Sequence, residues 1–293
     1  METVRLRLDI AYEGTAFSGW SRQPGLRTVQ ENIEDAIATL LRHPDIDVRL
    51  VVAGRTDAGV HATGQVAHID LTPQQWRALG AARRGGTTEH SLTRRLNGII
   101  GAKAPDIVIS RVTVAPEGFD ARFSPLWRRY EYRIADATSG RDPRRRAHTL
   151  WHPNALDDAA MDAAARGLRG LHDFAAFCKP REGATTVRTL LDYEWTRDAE
   201  GVLVARVRAD AFCHSMVRAL VGAAVAVGLD KLEPDELSSI LAAAVKANAF
   251  PVVAAKGLTL VEVAYPPDDE LGARAELTRA RREPVGRASD PSD

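Results

Sequence analysis

A chain of 293 residues with 45% apolar side chains can bury one or two cores, which sets one to two domains as the expectation. Its 39 Lys+Arg and 39 Asp+Glu cancel, which argues against a protein that coats nucleic acid with its whole surface. Of the basic residues only five are lysine and 34 are arginine, whose planar fork matches phosphate and carboxylate; a GC-rich coding bias gives the same skew.

Along the chain, residues 4–10 (VRLRLDI) alternate apolar and charged, the pattern of a half-buried strand rather than of a signal peptide. Thr28 with Glu31 three residues on reads as a capping box, followed by Val29, Ile33, Ile37, Leu40 and Leu41 at helical spacing. Residues 48–53 and 65–71 read as strands, 73–82 as a helix and 107–114 as a further strand. The order then recurs: strand 127–134, Ala-rich helix 156–168, a hairpin turning at 198–201, a helix from His214 to Gly228, and a last strand in GLTLVEVAYP. The apolar run 216–229 is interrupted by Arg218 and too short to span a bilayer, so it reads as a buried helix and no membrane is expected as a partner.

Two βαββαβ runs point to an α+β protein. Its two ferredoxin-like halves form a continuous, mainly antiparallel sheet flanked by helices, with a central active-site cleft. The expected division is 1–115, 116–267 and a disordered tail at 268–293, which is polar and has no aromatic residue. Residues 83–90, 139–147 and 180–184 read as loops. Cys178 and Cys213 imply no disulfide framework, which fits a cytoplasmic location, and Cys213 reads as packing.

The stretch VVAGRTDAGVHATGQVAHID, residues 51–70, breaks from a strand into Gly54-Arg55-Thr56-Asp57-Ala58-Gly59. Glycines there let the backbone turn sharply and approach a ligand. A lone aspartate beside an arginine suits a nucleophile or a charge partner better than a general acid. Most glycosidases need two carboxylates, and a metal site needs several convergent ligands. His61 and His68 read as satisfied hydrogen-bonders, and no phosphate-binding glycine loop or CxxC pair is present, so no cofactor and no metal are expected. The alternative is an Arg55–Asp57 turn pair closing a hairpin.

AGRTDAGVHATGQVAH closely resembles the signature of the tRNA pseudouridine synthase A family, and the resemblance runs on through Tyr265. AYEGTAFSGWSRQPGLRTVQENIEDAI is similar to that family's opening strand, loop and first helix, and FDARFSPLWRRYEYRI to its central strand. GLHDFAAFC, ADAFCHSMVRALVGAAVAVG and KGLTLVEVAYP resemble its later blocks. The resemblance implies isomerisation of uridine to pseudouridine at positions 38, 39 and 40 in the anticodon stem-loop of tRNA, without a cofactor, by a homodimer. It implies Asp57 as the nucleophile, Arg55 holding Asp57 and displacing the paired base, and Tyr130 stacked on uracil and reaching a ring proton. The alternative for the tyrosines is that one of Tyr130 and Tyr132 faces the core. Base flipping is required, because a stacked uridine hides the bond to be broken.

Arg22, Arg83, Arg84 and Arg218 are the candidate substrate-binding residues, with Arg94, Arg95 and Arg144 to Arg146 as further candidate phosphate contacts. The chain departs from the family pattern at Asp210, where an asparagine is usual, and in 87–109, which lacks the usual Leu-Pro pair. Two other functions compete: a non-catalytic RNA-binding protein or chaperone on the same fold, and a hydrolase that uses Asp57.

Overall fold

The computed structural model describes residues 3–42, 48–79, 87–180, 185–245 and 248–279. The chain forms two compact units, one built from Met1–Leu126 with Thr259–Arg279 and the other from Trp127–Leu258.

Unit 1 opens with β1 (Val4–Tyr12), whose even-numbered residues are buried from Leu6 on, as the alternation of the sequence requires. Helix α1 (Val29–Leu41) starts at Thr28, whose hydroxyl accepts the N–H of Glu31. Strand β2 (Val51–Val52) is shorter than the expected 48–53, and β3 (His61–Leu71) is longer than the expected 65–71. Helix α2 (Pro73–Leu79) follows, then α3 (Thr88–Lys103) and β4 (Ile107–Val114). The loop expected over 83–90 is contradicted from Thr88 on. Thr87 caps a 16-residue helix there, because Leu92, Leu96 and Ile100 recur every four residues and bury one stripe. Leu6, Leu8, Ile69 and Leu71 from the sheet meet Ile37, Leu79, Leu92 and Leu96 from the helices in this unit's core.

Unit 2 begins with β5 (Trp127–Ala135), pairs it in parallel with β6 (Leu150–Trp151), and continues through α4 (Asp158–Gly167) and β7 (Gly170–Asp173). The expected hairpin is β8 (Val187–Arg197) and β9 (Leu203–Ala209), turned at Gly201 with φ +77°. Helix α5 (Met216–Gly228) is buried at every residue but Arg218, and α6 (Pro234–Ala243) follows behind a Glu233–Glu236 capping box. Tyr193 donates its hydroxyl to Leu220 O on α5 at 3.0 Å, so this buried phenol has a partner. Strand order is β5-β9-β8-β7, all antiparallel, with β6 at the side of β5.

The chain then returns to unit 1 as β10 (Leu258–Ala264) and α7 (Leu271–Arg279). Sheet order in unit 1 is β4-β1-β3-β10, with β2 on β3; only the β10–β3 pair is parallel. The expected boundary at 115/116 differs from the contact boundary after Leu126, because residues 115–126 cover one face of unit 1's own sheet. Phe119 and Ala121 are buried there, and Ala121 N–H donates to His68 Nδ1. The expectation of a disordered tail fails over residues 268–279. Leu271 and Ala275 are buried, Ser124 Oγ donates to Leu271 O at 3.1 Å, and Arg274 Nε donates to Pro125 O at 3.2 Å. The remainder of that tail, 280–293, lies outside the described residues.

Cys178 and Cys213 are joined as a disulfide with Cα atoms 5.8 Å apart, which departs from the reading of Cys213 as packing alone. No helix among the described residues is long and apolar enough to cross a membrane.

Candidate active site

The loop between β2 and β3 carries Asp57, and its shape is set by a second loop of unit 1, residues 14–20. Trp20 N–H donates to Thr56 O at 3.1 Å, and Gly59 N–H donates to Phe17 O at 3.2 Å. Within the turn itself, Val60 N–H donates to Asp57 O at 3.2 Å. Two glycines make this contact possible. A Cβ on Gly14 would stand 2.0 Å from Val60 O, and one on Gly19 (φ +94°) would stand 2.9 Å from Thr56 O.

Below the turn, Thr56 is buried and shares a 2.8 Å hydrogen bond with Tyr12 Oη. Gln65 Nε2 donates to Tyr12 Oη at 3.2 Å and to Gly54 O at 2.9 Å. Burial pushes the Tyr12 phenol up to about 12, so it stays protonated and the network neutral. His61 accepts the N–H of Gly14 at Nδ1, 2.9 Å away. Thr56 is buried, Asp57 half-buried and Ala58 exposed, so Asp57 sits directly above this fixed floor. Arg55 is exposed. Thr56, backbone hydrogen bonds and close glycine contacts together hold the loop in shape.

The sequence reading missed Tyr12, Gly14, Gly19, Thr56 and Gln65 as supports. For the two glycines the signal was present in GTAFSGW, where Gly14 and Gly19 bracket Phe17, three residues before Trp20.

Arg22 is half-exposed, with its guanidinium 3.6 Å from carboxylate oxygens of Glu31, Glu34 and Asp35 along α1. Arg83 and Arg84 lie outside the described residues. Arg95 donates to Leu79 O at 2.8 Å, a structural tie between α2 and α3.

In unit 2, Tyr130 and Tyr132 stand two apart on β5 and so share one face of the sheet, whereas the alternative reading had one of them facing the core. Both are buried. Tyr132 donates its hydroxyl to Ala254 O at 2.8 Å, and burial holds its phenol well above the usual range. Tyr130 instead meets the edge of Phe212, with ring centroids 5.1 Å apart and planes at 88°. Arg218 on α5 donates from Nε to Val253 O at 2.7 Å. Asp210 is structural: its carboxylate accepts the N–H groups of Thr189 and Ala211, tying β9 to the start of β8.

Comparison with known proteins places these features in a family. A model described as tRNA pseudouridine synthase matches residues 10–87 and 164–266. The chain is 58% identical to a protein of Leifsonia xyli subsp. xyli over 284 residues, 96% of this chain and 98% of that one. It is 56% identical to one of Frankia casuarinae, covering 96% of each chain, and 46% identical to one of Mycobacterium leprae, again 96% of each. All three relatives are named tRNA pseudouridine synthase A. The matched model takes in the Asp57 loop, the glycine loop that fixes it and the α5 helix, and with relatives this similar along nearly the whole chain the protein belongs to the tRNA pseudouridine synthase family, a family of enzymes.

Proposed function

We propose that this enzyme converts uridine to pseudouridine at positions 38, 39 and 40 of the tRNA anticodon stem-loop, with Asp57 as its nucleophile. The observation that carries the reading is the locked Asp57 turn within the segment matched by the family model. The reaction breaks the bond from ribose to the uracil nitrogen, turns the base and closes a bond from ribose to a ring carbon. The carbon gives up one proton and the nitrogen gains one. Water is neither consumed nor released, so a single ionised carboxylate suffices, and no redox group or metal enters the balance.

Arg55, exposed beside Asp57, takes the place of the uracil in the stem and holds the carboxylate during turnover. Tyr130 stacks on the flipped ring and handles the proton at its carbon. Arg218 contacts the same nucleotide. For Arg22 to bind phosphate it must leave the three carboxylates of α1, so it is a weaker candidate than Arg218. The working form is a homodimer in the cytoplasm, with one tRNA touching both subunits.

Asp57→Asn is the deciding variant, because the amide keeps the shape of the turn and loses only the ionised oxygen. Carbodiimide mapping of tRNA after a single turnover at saturating enzyme is expected to show no pseudouridine with Asp57→Asn and a full signal with wild type, at equal melting temperatures. Activity within tenfold of wild type removes Asp57 from the chemistry. Release of free uracil identifies a hydrolase, and tRNA binding by wild type without either product identifies an RNA-binding protein.

A further inference from the structure

Unit 2 carries a basic and aromatic patch that the reaction at Asp57 does not use. Residues 141–146 hold four arginines against one aspartate, in a chain whose total charge is zero. Asp142 caps a short 3-10 turn over Pro143–Arg145, and Arg141, Arg144 and Arg146 are exposed around it. Arg144 is 88% exposed even while it bonds Asp142. Arg141 donates to His152 O at 3.2 Å, and its guanidinium lies 5.6 Å from the centroid of the Trp151 ring. The indole itself is 38% exposed, so its face is open to a stacking ligand.

The patch stands on a rigid base. Asp136 is fully buried and accepts from Thr138 N, Thr138 Oγ1, Ser139 Oγ, Leu156 N and the Arg197 guanidinium. Those bonds fix the start of the 136–152 segment and hold the Asp136 carboxyl far below the usual range against the cost of burial. Ser139 Oγ also reaches Gly201 O at 2.7 Å, and Arg145 reaches Glu200 at 3.3 Å, so the tip of the β8–β9 hairpin braces the patch. A polar loop with no binding task does not need a buried carboxylate hydrogen-bonded by four neighbouring residues to hold it still. Preorganised cations beside an exposed ring suit a ligand that offers phosphates and a flat base together.

We infer that Arg141, Arg144, Arg146 and Trp151 form a second RNA-binding patch, taking unpaired nucleotides of tRNA with the base against the Trp151 indole and the flanking phosphates on the arginines. This rests on the tRNA-isomerase reading for the identity of the RNA. An aromatic ring flanked by arginines is how single-stranded RNA is held without sequence readout, since every base has a face to stack and every linkage a charge.

The test uses the full chain and unmodified tRNA. Affinity is measured by filter binding at several salt concentrations for wild type, Trp151→Ala, the double variant Arg144→Ala/Arg146→Ala, and Arg166→Ala as a control on α4. Arg166 is exposed and paired with Asp162 at 2.7 Å, away from the 141–151 segment in sequence. The double variant is expected to weaken binding roughly tenfold and to reduce the slope of log K against log salt by about one to two. Trp151→Ala is expected to weaken binding about fivefold or more with little change in slope, the signature of lost stacking rather than lost charge. The control leaves both quantities unchanged. Equal affinity and equal slope in the double variant and wild type overturn the patch, whatever Trp151→Ala does to stability. Pseudouridine formation by wild type in the same preparation tests the isomerase reading separately. If it fails, the reading falls, while the binding contrast still decides the patch.

Discussion

Gly14 is the residue at which the Asp57 turn is most exposed to mutation. An alanine there puts its Cβ 2.0 Å from Val60 O, so the two loops must part. Gly14→Ala is expected to cost roughly 1–3 kcal/mol, as overpacking of a tight contact does, and to depress turnover beyond what the melting temperature explains. Unchanged turnover in this variant shows that the turn tolerates displacement. His68 gives a pH signature. Burial lowers its pKa to about 4, helped by nearby Arg5, while the unfolded chain keeps the ordinary 6.5. Between those values the unfolded state binds the extra proton, so stability is full above about pH 6.5 and falls as pH drops toward 4, by up to roughly 3 kcal/mol. His68→Gln is expected to flatten urea-derived stability over that window, and an equally steep fall in the variant assigns it to other groups. At this scale the sequence displays the chemistry of Asp57 but not its supports. Tyr12 and Thr56 are 44 residues apart, and only the fold brings them together. For Tyr130 and Tyr132, period two already places both on one face; their different partners, Phe212 and Ala254 O, appear only in three dimensions.

Among elements, α7 is the one whose removal is most informative. Ending the chain at Pro267 takes away buried Leu271 and Ala275 and removes one hydrogen-bond partner each from the Ser124 hydroxyl and the Pro125 carbonyl. That truncation is expected to lower the melting temperature by several degrees, and Leu271→Ala alone to cost roughly 2 kcal/mol. Equal melting of the truncated and full chains shows that α7 adds nothing to unit 1. Its sequence hides this role because Leu271 and Ala275 are the only residues it buries, too thin an apolar stripe to stand out in a polar tail. Helix α3 was hidden for another reason. Its first residues, Thr88 to His90, fell in the stretch read as loop, and the rest was given no element, whereas the spacing Leu92, Leu96, Ile100 was in plain view. Strands β1, β4 and β5 and helices α1 and α5 were legible because alternation or helical spacing runs unbroken through each.

For the molecule as a whole, neutral net charge means that no long-range field draws tRNA in, so affinity has to come from local arginine clusters. A homodimer doubles those clusters. Light scattering at micromolar concentration is expected to give twice the chain mass, and a fully active monomer overturns the dimer. The order of the chain also bears on how it is made. Unit 1 is discontinuous: it is left at Leu126 and re-entered at Thr259. Its strand β3 has no β10 beside it until Thr259 and Leu260 arrive to pair with His61 and Ala62. During synthesis, at about 5–20 residues per second, the 132 residues of unit 2 emerge while that edge stands open, which is on the order of ten seconds. A strand made late thus closes a sheet begun early, and the nascent chain spends that interval with an unpaired strand edge next to the Asp57 loop.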